Sequence, residues 1–289
     1  MAQNLREVQN LREIAEQAAK LCAEDLRKAF RGEMVVEEKR DQHDLVSEYD
    51  SACETKIVEF LKQADPDARI VGEEHGEQDG AGPVTWHIDP IDGTSNFVQG
   101  LAFFCTSIGA EINGKLVAGA VYDPMADNLF SADEDAAYLN GEQLKTPPTL
   151  PPGQATLITG YPTAKDLQLD GEASWVDLKK WIRNFSSVRR TGSGALSICH
   201  VAAGWTDAAF GTSVSSWDVS AAILILESAG GSYRPLFYPH EGKDMRAATD
   251  APHYAPGYVA VGPGGDYPSL NEAAIRLVNQ RLSMHALAL

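Results

Sequence analysis

The chain has 289 residues, 44% of them apolar, and its 41 Asp and Glu against 24 Lys and Arg give a net charge of −17. This length is enough for one large α/β domain or two closely packed halves, and no stretch approaches the roughly 20 apolar residues that cross a bilayer. A surface this negative repels a nucleic-acid backbone, so neither a nucleic-acid nor a membrane partner is expected, although cations bound in one cleft can still attract an anion.

The N-terminal residues are predicted to form one amphipathic helix that ends near Arg31-Gly32, because their apolar side chains recur on one face. That face comprises Leu5, Val8, Leu11, Ala15, Ala18 and Cys22. The segment lacks the apolar centre of a signal peptide, so we expect a cytoplasmic protein. The four cysteines are far apart and form no CxxC pair, which predicts buried free thiols rather than disulfides or a zinc site.

Residues up to 146 are predicted to form an α+β half. A short strand over 34–37 and a polar loop over 39–43 precede a helix that begins near Ser47. Asn113-Gly114 and Asn140-Gly141 each indicate a hairpin. Further strands are predicted over 69–71, 84–88, 103–112 and 115–122, with a loop over 78–83.

The proline-rich run 147–153 is the one credible internal boundary, and it divides the chain into halves 1–146 and 147–289. After it, strands alternate with helices, which is typical of α/β structure. Strands are predicted over 155–159, 187–190 and 207–210, and helices over 175–184, after Gly194 and over 217–229. We therefore expect an α+β half followed by an α/β half in one functional unit.

Four acidic sites stand out because each lies where a predicted element begins or ends. They are Asp50 with Asp44 before it, Gly72-Glu73-Glu74, the segment 89–94, and Trp217-Asp218. For a single acid, a solvated side chain or a helix cap is the simpler interpretation, and Asp44 and Glu74 need no other.

The segment 89–94, DPIDGT, is harder to explain as a capped turn. Pro90 fixes the backbone so that the carboxylates of Asp89 and Asp92 can converge with the carbonyl of residue 91 between them. Such hard oxygen donors suit Mg²⁺ rather than Zn²⁺. Gly93 allows a tight turn, and Thr94 opens a helix whose free N–H groups can hold a phosphate.

At this point the sequence resembles the inositol monophosphatase family. DPIDGTSNF and WDVSAAILILESAGG resemble its two signatures, and LVSEYDSACE and IVGEEHG extend the likeness over essentially the whole chain to about Val261. The resemblance implies a layered αβαβα sugar-phosphatase fold of two packed sub-domains, a Mg²⁺-dependent, lithium-sensitive hydrolase, and a homodimer. The family includes inositol monophosphatases, histidinol-phosphatases, fructose-bisphosphatases and adenosine 3′,5′-bisphosphate phosphatases, and Asn96-Phe97 resembles the first three groups.

The resemblance also assigns metal ligands and catalytic groups, position by position. Glu73, Asp89 and the Ile91 carbonyl correspond to the ligands of one Mg²⁺, and Asp89, Asp92 and Asp218 to those of a second. Asp50 and Glu73 correspond to residues that position water around a third, weaker ion, which gives two or three Mg²⁺ per site. Thr94 and Asp50, assisted by Glu73, are implied to orient and activate the attacking water.

Phosphate and substrate contacts follow from the same resemblance. The backbone of Gly93 and Thr94 is implied to receive the phosphate. Asp92, Ser193, Gly194, Gly211 and Asp218 are the implied substrate-side residues. The Gly192–Gly194 turn offers backbone N–H groups to substrate or simply caps a helix. Lys39 is either a basic residue near the metal loop or a solvated loop lysine.

One position departs from the family pattern. Inositol-directed members carry a glutamate seven residues before the last metal aspartate, and Gly211 stands there. Glycine removes a carboxylate that contacts a ring hydroxyl, and it opens space for a different or larger alcohol. Gly211→Glu is therefore expected to raise kcat/KM for inositol 1-phosphate relative to that for the best non-inositol ester. Tyr161 either stacks on a substrate face or packs, and His75 and His87 are expected to be surface or structural residues.

The sequence therefore predicts a Mg²⁺-dependent phosphomonoesterase of a small soluble phosphate ester. Inositol 1-phosphate is the first choice, with histidinol phosphate or fructose 1,6-bisphosphate as alternatives. A non-catalytic or moonlighting regulatory binding protein is the alternative of a different class, but retention of the acidic residues and Thr94 favours catalysis. A calcium-binding structural domain is disfavoured, because Gly93-Thr94 adds an anion cradle that such a domain does not need.

Overall fold

The computed structural model describes residues 2–38, 45–240 and 251–288. Its helices are α1 (Ala2–Lys20), α2 (Ala23–Ala29), α3 (Glu48–Ala64), α4 (Thr94–Gln99), α5 (Ala164–Asp170), α6 (Glu172–Asn184), α7 (Gly194–Ala202), α8 (Ser216–Ser228) and α9 (Pro268–Ala288), with a 3₁₀ turn at Pro252–Tyr254. Its strands are β1 (Val36–Glu38), β2 (Leu45–Ser47), β3 (Arg69–Gly72), β4 (Gly76–Gln78), β5 (Val84–Asp92), β6 (Cys105–Ile112), β7 (Lys115–Asp123), β8 (Asn128–Asp133), β9 (Ala137–Leu139), β10 (Glu142–Leu144), β11 (Thr156–Thr159), β12 (Ser187–Arg189), β13 (Ala208–Thr212), β14 (Ser232–Leu236) and β15 (Gly257–Val261).

The first sheet has eight strands in the order β10-β9-β8-β7-β6-β5-β3-β4. Its neighbouring strands are antiparallel, except that β3 runs parallel to β5. One face buries Trp86 and Ile108 against the apolar sides of α1 and α3. The other face packs on α7 and α8 through side chains such as Val121 and Phe130. Apolar side chains are therefore removed from water on both faces, and this burial is the main source of stability for such a layer.

The second sheet has five strands in the order β12-β11-β13-β15-β14. Strand β11 is parallel to β12 and β13, whereas β15 is antiparallel to β13 and β14. One face covers α7 and α8 through Ala209 and Tyr258, and the other packs on α6 and α9 through Trp181 and Leu277. The resulting order of layers, helix-sheet-helix-sheet-helix, is the αβαβα arrangement expected from the sequence, with the proline-rich run between the two sheets.

The N-terminal helix differs from its prediction. A single helix to Arg31-Gly32 is wrong, because the chain leaves helical geometry at Leu21-Cys22 and resumes as α2. Helix α1 buries Leu11 and other residues on the first sheet, while α2 buries Leu26 in a separate cluster with Phe97 and Phe104. The break lets two successive apolar faces reach two different cores.

The sequence pattern does not predict β2, β4, β8, α5, β14, β15 or α9. Strand β14 contains Pro235, which argues against a strand in the interior of a sheet. It is tolerated because β14 forms the edge of the second sheet. The remaining predicted strands and helices are found, and the strand expected over 84–88 continues to Asp92.

All four cysteines are buried free thiols, as predicted. In the described ranges of the chain, no helix combines the length and the apolar character needed to span a bilayer.

Candidate active site

The DPIDGT segment forms an irregular end to β5. Asp89 pairs with Ser107 and Asp92 with Cys105 across the sheet, so β5 has one more residue than β6 between these pairs. Pro90 lies in this bulge, where its missing N–H leaves no ladder bond unmade. The N–H of Ile91 donates to Asp89 Oδ1 at 3.0 Å, which fixes that carboxylate toward the bulge. Both aspartates are buried, with exposures of 2% and 7%.

Gly93 turns the chain from this bulge into α4. Its φ of 97° lies in the left-handed region, and a Cβ there would lie 3.1 Å from the Phe103 carbonyl oxygen. Glycine is therefore favoured by the conformation, and the tight approach to Phe103 disfavours a larger residue further. Helix α4 begins at Thr94 as predicted. Phosphate binding by the Gly93 and Thr94 backbone stays a prediction.

Acidic side chains from three parts of the chain converge beside the bulge. Burial and then the negative charges of Glu73, Asp92 and Asp218 raise the pKa of Asp89 well above its usual range. The pKa of Asp218 is likewise raised, first by removal from water and then by Asp92 and Glu73. Such mutual repulsion arises when carboxylates are packed together without a counterion. A hard divalent cation bound among these oxygens relieves it, so the residues present fit Mg²⁺.

Thr94 joins this group to α3. Its Oγ1 lies 2.8 Å from Asp50 Oδ1 and 2.9 Å from the Ile91 carbonyl oxygen. The other oxygen of Asp50 accepts from Ser47 N at 2.8 Å and Ser47 Oγ at 2.6 Å, in a capping box at the start of α3. The helix-cap interpretation of Asp50 is therefore correct, and the same side chain also reaches Thr94. Burial raises the pKa of Asp50.

The N-terminus of α7 is directed at Asp92. Ser193 Oγ donates to Asp92 Oδ2 at 2.5 Å, Gly194 N to Oδ1 at 3.1 Å and Ala195 N to Oδ2 at 2.7 Å. Ser193 also caps α7, because its Oγ accepts from Leu196 N at 3.3 Å. The N–H groups that the resemblance implies for substrate thus bind the Asp92 carboxylate, and the N-capping interpretation is confirmed. A contact of this turn with substrate stays a prediction.

Asp218 has the same arrangement at the start of α8 as Asp50 has at the start of α3. Its Oδ2 accepts from Ser215 N at 2.7 Å, within a capping box. One oxygen is thereby bound to the helix start, and the carboxylate is oriented toward Asp89 and Asp92.

Glu54 positions the Gly72-Glu73-Glu74 turn, a role that sequence reasoning missed. It is fully buried, and its two oxygens accept from Glu74 N and His75 N, each at 2.8 Å. A Cβ on Gly72 would lie 2.2 Å from Glu54 Oε1, so only glycine allows this approach. The available signal was spacing, because Glu54 follows Asp50 by one helical turn on the same face of α3.

The space beside Gly211 is not open, which corrects the expectation drawn from its sequence. Gly211 lies opposite Tyr258 in the pairing of β13 with β15, and a Cβ there would lie 2.2 Å from Tyr258 Cε1. The aromatic ring therefore occupies the space that a side chain at this position needs. Burial and then the charges of Asp92 and Asp218 raise the pKa of Tyr258.

Other candidate residues are placed as follows. Tyr161 packs rather than stacks on a substrate: it is fully buried, donates to Asp170 at 3.0 Å and accepts from Arg276 at 2.9 Å. His75 is exposed beside Thr55, and His87 is buried, in line with the surface and structural roles expected. Lys39 and Asp44 lie outside the described residues.

A five-layer αβαβα fold with converging carboxylates beside a threonine is the arrangement of a metal-dependent phosphatase. The chain belongs to the inositol monophosphatase family, whose sequence profile matches residues 7–275. Members of this family are metal-dependent phosphoric monoester hydrolases, and this chain is therefore such an enzyme.

Three similar proteins illustrate the relationship. The chain is 37% identical over 237 residues to inositol monophosphatase 3 of Solanum lycopersicum, covering 80% of this chain and 87% of that protein. It is 35% identical over 194 residues to Nus factor SuhB of Pasteurella multocida, covering 66% and 72%. The crystal structure of extragenic suppressor protein suhB from Bartonella henselae superposes with a TM-score of 0.77 at 27% identity, covering 93% and 96%.

Proposed function

We propose that this enzyme is a Mg²⁺-dependent phosphomonoesterase of a small phosphate ester, with inositol 1-phosphate as the leading substrate. The observation that carries the proposal is the group formed by Glu73, Asp89, Asp92 and Asp218, with the Thr94–Asp50 hydrogen bond beside it. A binding module has no need to bring these acids together at such electrostatic cost. The choice of inositol 1-phosphate rests on family membership and on the name of a relative such as the Solanum protein.

The acids suit Mg²⁺ because they are all hard oxygen donors, to which the Ile91 carbonyl adds another. We assign one ion to Glu73, Asp89 and that carbonyl, and a second to Asp89, Asp92 and Asp218. When bound, the cations neutralise phosphate charge and lower the pKa of the attacking water. We further propose that a third ion binds more weakly near Asp50 and Glu73.

Thr94 and Asp50 supply the path for the proton that leaves the attacking water. Thr94 donates to Asp50 Oδ1, so its oxygen lone pairs are free to accept a hydrogen bond from that water. As the water attacks phosphorus, its proton passes to Thr94 Oγ1 and the threonine proton passes to Asp50. The pKa of Asp50, raised by burial, makes it a better acceptor than an exposed aspartate.

Selection of the alcohol is assigned to Tyr258 rather than to residue 211. Tyr258 covers Gly211, and the charges of Asp92 and Asp218 act on its phenol, whose pKa they raise. A phenol donates one hydrogen bond to a substrate hydroxyl, but it adds no negative charge. We therefore expect weaker discrimination among alcohols than a carboxylate gives, so histidinol phosphate and fructose 1,6-bisphosphate remain alternative substrates.

The test is a phosphate-release assay over these three esters and adenosine 3′,5′-bisphosphate, with the protein stripped of metal and then returned to Mg²⁺. We expect hydrolysis that depends on Mg²⁺, highest for inositol 1-phosphate. Asp92→Asn should abolish it, whereas Asp135→Asn, in the exposed turn between β8 and β9, should not. Hydrolysis that survives complete metal removal contradicts the mechanism. A clear preference for another ester overturns only the substrate.

A regulatory binding role is the second candidate, because one relative carries the name Nus factor SuhB. Failure to hydrolyse every ester in Mg²⁺, by a folded protein, favours it over catalysis. We further propose a cytoplasmic homodimer, as the family resemblance suggests. Light scattering after size exclusion, giving twice the 31.2 kDa chain mass, tests the dimer.

A further inference from the structure

Two buried histidines and a buried glutamate form a cluster that the phosphatase chemistry does not use. His87 lies on β5, Glu111 on β6 and His253 in the 3₁₀ turn 252–254, with exposures of 0%, 8% and 0%. His87 pairs with Gly109 in the sheet, so Glu111 is its diagonal neighbour on the same face. The turn thus brings a third potential ligand onto a pair already fixed by the sheet.

The distances between these side chains suit a small tetrahedral metal ion. His87 Nε2 lies 3.2 Å from Glu111 Oε2, and His253 Nε2 lies 2.9 Å from the same oxygen. One ligand atom from each of the three residues lies within 4.8 Å of the others. Zn²⁺ bonds of about 2.0–2.1 Å in a tetrahedron separate neighbouring ligand atoms by roughly 3.3 Å. Binding therefore needs only small side-chain shifts.

Contacts around the cluster orient its ligands as an outer shell does. His87 Nδ1 lies 2.9 Å from Ser216 Oγ, which leaves Nε2 free to present a lone pair when Nδ1 carries the proton. The second oxygen of Glu111 accepts from Gly114 N at 2.7 Å. The Tyr254 hydroxyl donates to Glu111 Oε2 at 3.0 Å, so a further oxygen lies beside the three proposed ligands.

As a hydrogen-bond network alone, the cluster is poorly satisfied. Glu111 Oε2 is the partner of His87, His253 and Tyr254 at once, although an oxygen of this type has two lone pairs in its plane. A cation beside Glu111 Oε2 would relieve this crowding. The buried Nδ1 of His253, which has no hydrogen-bond partner in the described parts of the chain, stays without one whether Nε2 binds Glu111 or a metal ion.

We propose that His87, Glu111 and His253 bind a structural Zn²⁺, distinct from the Mg²⁺ group at Asp89. Two imidazoles and one carboxylate are a Zn²⁺ donor set, whereas Mg²⁺ prefers oxygen ligands alone. The ion fastens the 252–254 turn to β5 and β6. His87 also contacts Ser216, which lies two residues before Asp218. The proposed ion therefore stabilises the structure that supports the phosphatase group, and it does not contact substrate.

The experiment uses the full chain, saturated with Mg²⁺, equilibrated with ZnCl₂ and freed of excess metal. Elemental analysis should find one zinc per chain in wild type and in His75→Gln, an exposed histidine that serves as the matched control. His253→Gln should bind Zn²⁺ at least about 100-fold more weakly, since even loss of an outer-shell partner costs 10–100-fold. Replacing the zinc with Co²⁺ should give the visible absorption of a tetrahedral site in wild type and in His75→Gln, but not in His253→Gln.

Thermal unfolding gives a second, independent measurement. A zinc-selective chelator added in excess Mg²⁺ should lower the Tm of wild type but leave that of His253→Gln unchanged. The proposal is overturned if wild type binds no zinc, in which case the cluster is a hydrogen-bond network only. It is also overturned if His253→Gln retains the zinc while Asp89→Asn loses it. Should His253→Gln fail to fold, zinc stoichiometry and the Co²⁺ spectrum of wild type and Glu111→Gln decide the question.

Discussion

Gly211→Ala is predicted to destabilise the protein through a single new methyl group. The added Cβ would lie 2.2 Å from Cε1 and 2.6 Å from Cζ of Tyr258, far inside van der Waals contact. The ring cannot easily withdraw, because it is 2% exposed and stacks on Tyr233 with centroids 5.4 Å apart. Overpacking of this kind costs about 1–3 kcal/mol, which lowers Tm by roughly 2–5 °C in a protein of this size.

The assay is urea unfolding of four proteins that form a double-mutant cycle, read as the free energy of unfolding. In a Tyr258→Ala background the space is vacant, so Gly211→Ala should then cost less than about 0.5 kcal/mol. Tyr258→Phe is the matched control, since it keeps the ring and should keep the full cost. If Gly211→Ala is neutral in wild type, or costs the same in both backgrounds, the contact does not limit this position.

The same contact reverses the expectation for Gly211→Glu. The longer side chain meets the Tyr258 ring before it can reach substrate, so we now expect kcat/KM for inositol 1-phosphate to fall rather than rise. The glutamate has space only when Tyr258 is also replaced by alanine. An increase in kcat/KM in the single variant shows that Tyr258 moves aside.

Four further outcomes are expected. Chelation of divalent cations should abolish phosphate release, and added Mg²⁺ should restore it; lithium should inhibit the restored enzyme, as in the family. Asp92→Asn should lower kcat at least about 100-fold with an unchanged circular dichroism spectrum. Thr94→Val should lower kcat by about 10²-fold or more at similar KM, whereas Thr94→Ser should retain most activity; equal losses contradict the proton path. Burial lowers the pKa of His200 from 6.5 to about 4. Between pH 4 and 6.5, the unfolded chain therefore carries a proton on this residue that the folded protein lacks. The folded state therefore keeps its full stability above pH 6.5 and loses about 3 kcal/mol as pH falls to 4. His200→Phe should make the urea midpoint less dependent on pH across that window.

The candidate site was predictable where its chemistry is local in sequence. The DPIDGT segment carries its bulge, its turn and its carboxylates within six consecutive residues, so Gly93 and Asp92 could be interpreted without a fold. Helix starts at Ser47 and Ser193 were visible for the same reason, because capping depends on neighbouring residues.

What the sequence could not reveal depends on contacts between distant residues. The ring that fills the space beside Gly211 belongs to Tyr258, in a strand that the pattern did not predict. The support of the Gly72-Glu73-Glu74 turn by Glu54 is likewise a contact between α3 and the end of β3. A glycine indicates that space is needed, but it does not indicate whether substrate or another side chain occupies it.

Three of the acids grouped at the site share one further property: each accepts hydrogen bonds at the N-terminus of a helix. Asp50 does so at α3, Asp92 at α7 and Asp218 at α8. Each helix start carries a partial positive charge of about half an elementary unit. The three together therefore offset part of the negative charge of the acids, whether or not a cation is bound. The helix starts thus help the chain to fold with these acids close together and no cation bound. We therefore expect the proposed Mg²⁺ to bind to and leave a protein that is already folded.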